Sequence, residues 1–170
     1  MTRTARPTPG SGAGPTASVV RHHGPTAEPG GAAAPARSIG TTAIWGVVFG
    51  GLQAASPLAF PWLSGSTVYA MGLTLIAAVY VGFGVADGRR AVMAVEVSVA
   101  SVFVGIAAVA VPGPAWVLVV GLAGHGVKDL WQHRTGFVAN TRWWPPFCAT
   151  VDLVAAAAVA LMIVTHRGPL

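Results

Sequence analysis

The sequence predicts an all-α integral membrane bundle of about five transmembrane helices behind a disordered N-terminal tail, and three observations lead there. Of 170 residues, 54% are hydrophobic and only 9% charged, whereas a soluble domain carries roughly 25% charged residues. So few charges cannot clothe a surface in water. The apolar residues also fall in blocks of about 20, the length a helix needs to cross roughly 30 Å of hydrocarbon at 1.5 Å per residue. The period-two alternation of a membrane barrel is absent.

Residues 1–40 are rich in Gly, Pro, Ala, Ser and Thr and hold Arg3, Arg6, Arg21 and Arg37 against the single acid Glu28. A segment with almost no large apolar side chains cannot bury enough surface to offset the entropy of ordering it. No apolar stretch precedes Ala43, so the segment lacks the pattern of a secretory signal. It reads as a disordered cytoplasmic tail.

Residues 41–170 read as the transmembrane domain, with spans at about 42–63, 67–86, 91–111, 114–131 and 146–165. The first is interrupted by Gly46, Gly50, Gly51, Pro57 and Pro61, which suits a kinked or re-entrant segment whose freed backbone groups are satisfied by neighbours. Gly46, Gly50 and Ala54 make a small-residue stripe at four-residue spacing, suited to close helix packing within the chain or between two copies in a homo-oligomer. The fourth block carries His125, Lys128 and Asp129 on its last turns.

Orientation follows from lysine and arginine, which concentrate on the cytoplasmic side. With the N-terminus inside, nine of the ten basic residues fall in inner segments and only Arg167 falls outside. Tryptophan gives a second signal, because its ring and its N–H are both served at the headgroup level. Trp45, Trp131, Trp143 and Trp144 then sit at the inner boundary, and Trp62 and Trp116 at the outer. The bilayer is thus the expected partner. The net charge of +5 is accounted for by topology, since no basic stripe suited to nucleic acid is present.

Ionisable side chains within a bilayer are costly and call for partners or water. Glu96, His125, Asp129 and Asp152 are the candidates for a ligand or proton site. Glu96 lies about 8 Å into the third span at 1.5 Å per residue, and Asp152 at a similar depth in the fifth. His125, Asp129 and His133 follow at four-residue steps along one helix. Asp87, Lys128, His133, Arg134, Asn140 and Arg142 are placed at the mouth of the resulting pocket.

The competing reading is that these charges only neutralise one another, Glu96 with an arginine of the inner loops or His125 with Asp152. The sequence names no cofactor and no metal ligand set, because His125 and His133 lie about 12 Å apart along a helix axis. Cys148 is the only cysteine, excludes an internal disulfide, and reads as a packing residue. No nucleophile elbow or phosphate-cradling loop is present.

The stretch from His125 through Gly126, Val127, Lys128, Asp129, Leu130, Trp131 and Gln132 to His133, followed by Trp143-Trp144-Pro145-Pro146-Phe147-Cys148 and Asp152, resembles an uncharacterised family of small bacterial multi-spanning membrane proteins. The resemblance covers about 30 residues and imports no activity. It implies a bacterial inner-membrane location and draws attention to His125, Asp129, His133 and Asp152. The expected function is that of a small ligand-binding or proton-coupled membrane protein with a polar pocket in the cytoplasmic half. The alternatives are a membrane enzyme acting on a lipid or isoprenoid and a structural subunit of a membrane complex.

Overall fold

The computed structural model describes residues 39–139 and 142–165. The N-terminal segment expected to be disordered lies outside the described residues up to position 38, as do Asn140 and Arg167. Five helices form an all-α bundle, and among the described residues there is no strand: α1 (Ile39–Ala55), α2 (Gly65–Asp87), α3 (Arg90–Ala110), α4 (Trp116–Thr135) and α5 (Trp144–Thr165). A short 3-10 turn, Ser56–Ala59, follows α1.

Local chemistry sets the boundaries. Pro57 cannot donate to the carbonyl one turn back and ends α1, while the Ser56 hydroxyl donates to the Gln53 carbonyl so freed at 2.7 Å. The first predicted span is therefore a 17-residue helix continued by a 3-10 turn, not a straight helix to Leu63. Ser64 caps α2 by accepting the Thr67 N–H, satisfying one of the donors a helix start leaves open. Gly88 and Gly136 close α2 and α4 in the left-handed region, at φ 78° and 59°, where a side chain is disfavoured. Pro145 and Pro146 sit in the first turn of α5, where a missing N–H costs nothing.

The distribution of side chains is that of a membrane protein. Ile44, Val48, Leu52, Leu75, Val102, Val120 and Leu161 are exposed, whereas Glu96, His125, Asp129, Gln132 and Asp152 are buried. So large an apolar exterior is unsustainable in water, and the buried polar groups have partners only inside the bundle. Among the described residues, four helical segments are long and apolar enough to cross a membrane: Gly40–Ala59, Gly65–Asp87, Arg90–Ala110 and Trp144–Thr165. The chain is a multi-pass membrane protein. The fourth helix falls outside that set because it carries the polar side chains of the bundle, most of which it turns inward.

Helix α4 packs against α5, α3 and α2, α2 pairs with α3, and α1 lies along α5. Leu73, Phe103, Leu118, Leu122, Ala155 and Val159 form the apolar core. Helices α1 and α5 run parallel in close approach: a Cβ on Gly46 would lie 2.5 Å from Thr150 Cβ, and one on Gly50 would lie 2.7 Å from Val154 Cβ. The small-residue stripe expected to serve packing or a homo-oligomer is thus filled at Gly46 and Gly50 by α5 of the same chain.

One end of the bundle gathers the basic loops. Asp87 accepts from Arg89 Nε at 2.6 Å and from the Ala139 N–H at 2.8 Å, and Arg89 also donates to the Phe137 carbonyl at 2.7 Å. The α2–α3 turn is thereby tied to the segment between α4 and α5. At the opposite end the Tyr69 hydroxyl donates to the Ala54 carbonyl at 2.6 Å, pinning α2 to α1.

Candidate functional site

Helix α4 builds the site. With 100° between residues, His125, Asp129 and Gln132 fall on one face, and all are buried between α2, α3 and α5. Helix α5 supplies Asp152 opposite. Its approach is close beside Gly126, where an added Cβ would meet Leu153 Cγ at 3.2 Å and the Ala149 carbonyl at 3.3 Å.

His125 Nδ1 shares a hydrogen bond of 2.8 Å with Asp152 Oδ2 and lies 3.6 Å from Asp129 Oδ2. One ligand atom from each of these three residues lies within 4.8 Å of the others. The imidazole is wedged edge-to-face against Phe103, centroids 4.8 Å apart, and Tyr80, at 5.6 Å. Both Asp129 oxygens, Asp152 Oδ1 and His125 Nε2 are buried and make no hydrogen bond within the described protein. The Tyr80 hydroxyl lies beside Asp129 without a hydrogen bond of ordinary geometry.

A second buried group adjoins the first. Glu96, 1% exposed, accepts from Lys128 Nζ at 3.0 Å and from Gln132 Nε2. Lys128 Nζ also stands 3.2 Å above the centre of the Tyr80 ring, a cation–π contact. Its distance to Asp129 Oδ1 is 3.9 Å, beyond hydrogen-bond reach. The lysine is thus engaged by Glu96 and the tyrosine face. Lys128 also forms a longer ion pair with Asp129, and among the described residues no lysine or arginine is paired with Asp152.

Several sequence expectations need correction. Glu96 pairs with Lys128 of α4, not with an arginine of the inner loops. Lys128 is in the interior, its side chain 13% exposed, not at a pocket mouth. His133 is exposed, because eight residues carry it 80° around the helix from His125 and only seven bring the chain back to the same face, where Gln132 sits. Asp87 is occupied by Arg89 and the Ala139 backbone. Arg134 and Arg142 are exposed at the same end, and Asn140 lies outside the described residues.

A cavity of about 730 Å³ at this end is lined by Gln132, His133, Val138, Ala139, Arg142 and Trp143. It borders the Glu96 group through Gln132, which hydrogen-bonds Glu96, and its lining stops short of His125, Asp129 and Asp152.

Tyr80 and Gln132 were not singled out by sequence. Gln132 was findable, since its seven-residue offset from His125 is a better match to the helix period than that of His133. Tyr80 stands among small and aliphatic residues, and no periodicity marks its hydroxyl as facing α4. Comparison of the chain with protein-family models, with curated proteins and with solved structures returns no match.

Proposed function

We propose that the chain is a small-ligand-binding membrane protein of a bacterial inner membrane, N-terminus inside, whose ligand carries positive charge and binds at His125, Asp129 and Asp152. The observation that carries this reading is the charge balance of the buried core. Lys128 cancels Glu96. When ionised, Asp129 and Asp152 put two negative charges beside one imidazole, in surroundings where an uncompensated carboxylate is strongly disfavoured. A bound cation or protons would balance them. The acceptor oxygens with no hydrogen bond are where either would be received.

Several observations support the setting. Arg89, Arg90, Arg134 and Arg142 share one end of the bundle with the start of α1, as the inward bias of basic residues requires. The stretch that resembles small bacterial multi-spanning membrane proteins includes all three site residues. The cavity beside Gln132 opens at that same end, which gives a charged ligand a polar approach. Protons satisfy the same charge count, and that is the proton-coupled form of the reading.

The test is a thermal-shift survey of the purified full-length protein in detergent, with monovalent ions, divalent ions and small organic amines supplied in turn. A ligand that binds only the folded protein stabilises it by about 2.7 kcal/mol at a hundredfold excess over its dissociation constant. At least one cation should raise the melting temperature of wild type and leave the double variant Asp129→Asn, Asp152→Asn unmoved. If no cation shifts wild type, or if the double variant responds equally, the site is not a cation-binding site.

A further inference from the structure

We infer that His125, Asp129 and Asp152 form a binding site for a divalent transition-metal ion. The inference rests on the proposed cation site and names the class of its ligand. The donor set comes from two helices, one imidazole nitrogen and two carboxylates, and all three side chains are buried. Four-coordinate zinc with bonds of about 2.0–2.1 Å holds neighbouring ligand atoms roughly 3.3 Å apart. The observed separations from His125 Nδ1, 2.8 Å to Asp152 Oδ2 and 3.6 Å to Asp129 Oδ2, bracket that edge length. The three ligand atoms together lie within 4.8 Å of one another, so the two carboxylates would close toward each other on a bound ion.

Charge selects the same ligand. With a neutral imidazole and both carboxylates ionised, one divalent cation brings the cluster to neutrality, while a monovalent ion leaves one negative charge buried. A metal held by His125 Nδ1 and Asp152 Oδ2 replaces the 2.8 Å hydrogen bond between them, while both oxygens of Asp129 and Asp152 Oδ1 make no hydrogen bond that coordination would break. The mixture of imidazole and carboxylate without thiolate suits zinc, iron or manganese, and disfavours the larger all-oxygen shell that calcium takes.

Other charged and titratable groups face the cluster. Lys128 is held by Glu96 and stops 3.9 Å short of Asp129. Cys148, one helical turn before Asp152, is buried but is not among the three converging ligands. Tyr80 offers its hydroxyl beside Asp129. Sequence spacing pointed away from a metal because it paired His125 with His133. The partner that completes the set is Asp152, 27 residues along the chain and brought close by the packing of α5 on α4 at Gly126.

The deciding experiment is equilibrium dialysis of chelator-treated full-length protein against Zn²⁺ and, separately, Mn²⁺, followed by elemental analysis. Wild type is compared with Asp129→Asn, Asp152→Asn and Tyr69→Phe. The last removes a hydrogen bond at the far end of the bundle and controls for general destabilisation. Wild type and Tyr69→Phe should retain stoichiometric metal, and the two asparagine variants, still monodisperse and helical, should bind at least 10- to 100-fold more weakly, since even outer-shell changes cost that much. Metal retained equally by the asparagine variants overturns the site. No metal on folded wild type overturns it as well. The broader cation reading then survives only if the thermal-shift survey shows a monovalent or organic cation acting through the same carboxylates.

Discussion

Replacement of Lys128 by Met should destabilise the protein by about 3–5 kcal/mol, the cost of leaving a buried charge without its partner. Glu96 is 1% exposed and its only cationic partner among the described residues is Lys128. Methionine keeps the length and apolar body of the lysine side chain, so the loss isolates the ammonium. The further substitution Glu96→Gln should restore most of the stability, because the amide can still accept from Gln132 and no charge remains to be compensated. A double-mutant cycle on the melting free energies measures the coupling. Additive effects would show that the pair is not coupled in the membrane.

The second large effect is expected at the α1–α5 seam. Valine at Gly46 and at Gly50 would drive Cβ atoms to 2.5 Å from Thr150 Cβ and 2.7 Å from Val154 Cβ, with backbone carbonyls of α5 at 2.9 and 3.0 Å. Neither contact can be relieved by turning a flexible side chain. Overpacking of this kind costs about 1–3 kcal/mol at each site, and the two act on one interface. Gly51→Ala is the internal comparison, since a Cβ there meets nothing within 4 Å. Thermal melts in detergent should show the double valine variant strongly destabilised and Gly51→Ala near wild type. Equal tolerance at all three positions would mean that α1 does not sit on α5 as described.

Much of the bundle was legible in the sequence because a membrane helix is declared by length and composition. Positions 67–86, 91–111 and 146–165 come within two residues of α2, α3 and α5 at each end. The first span was shortened by Pro57, whose presence was visible but whose effect depended on Ser56 and the turn that follows. The fourth begins at Trp116 and runs on to Thr135, past the apolar block, because Gln132 continues the buried face of a helix that is stabilised by its neighbours and not by lipid.

The site was legible in part. His125, Asp129 and Asp152 were chosen because ionisable groups at membrane depth require an explanation, and the packing does bring them together. Which of them touch was not legible, since Asp152 meets His125 across two helices and depends on the close approach at Gly126. The division of five polar groups into a neutral Glu96–Lys128 pair and an unbalanced His–Asp–Asp cluster was likewise invisible. Helical period alone put Lys128 at the rim, whereas its long side chain reaches inward to Glu96 over the face of Tyr80.

The most direct test of the central claim is the stability of Asp129→Asn against wild type, both freed of ions with chelator and melted in the same detergent. If Asp129 is held for a cationic ligand, its carboxylate is a burden in the ligand-free protein, and the neutral isostere should melt at or above the wild-type temperature while losing the response to added cation. That combination of gained stability and lost binding is the mark of a functional site. A fall of more than about 2 kcal/mol in the ligand-free protein, the size expected when a hydrogen-bonded partner of a buried group is removed, would show that Asp129 holds the bundle together and would contradict the account.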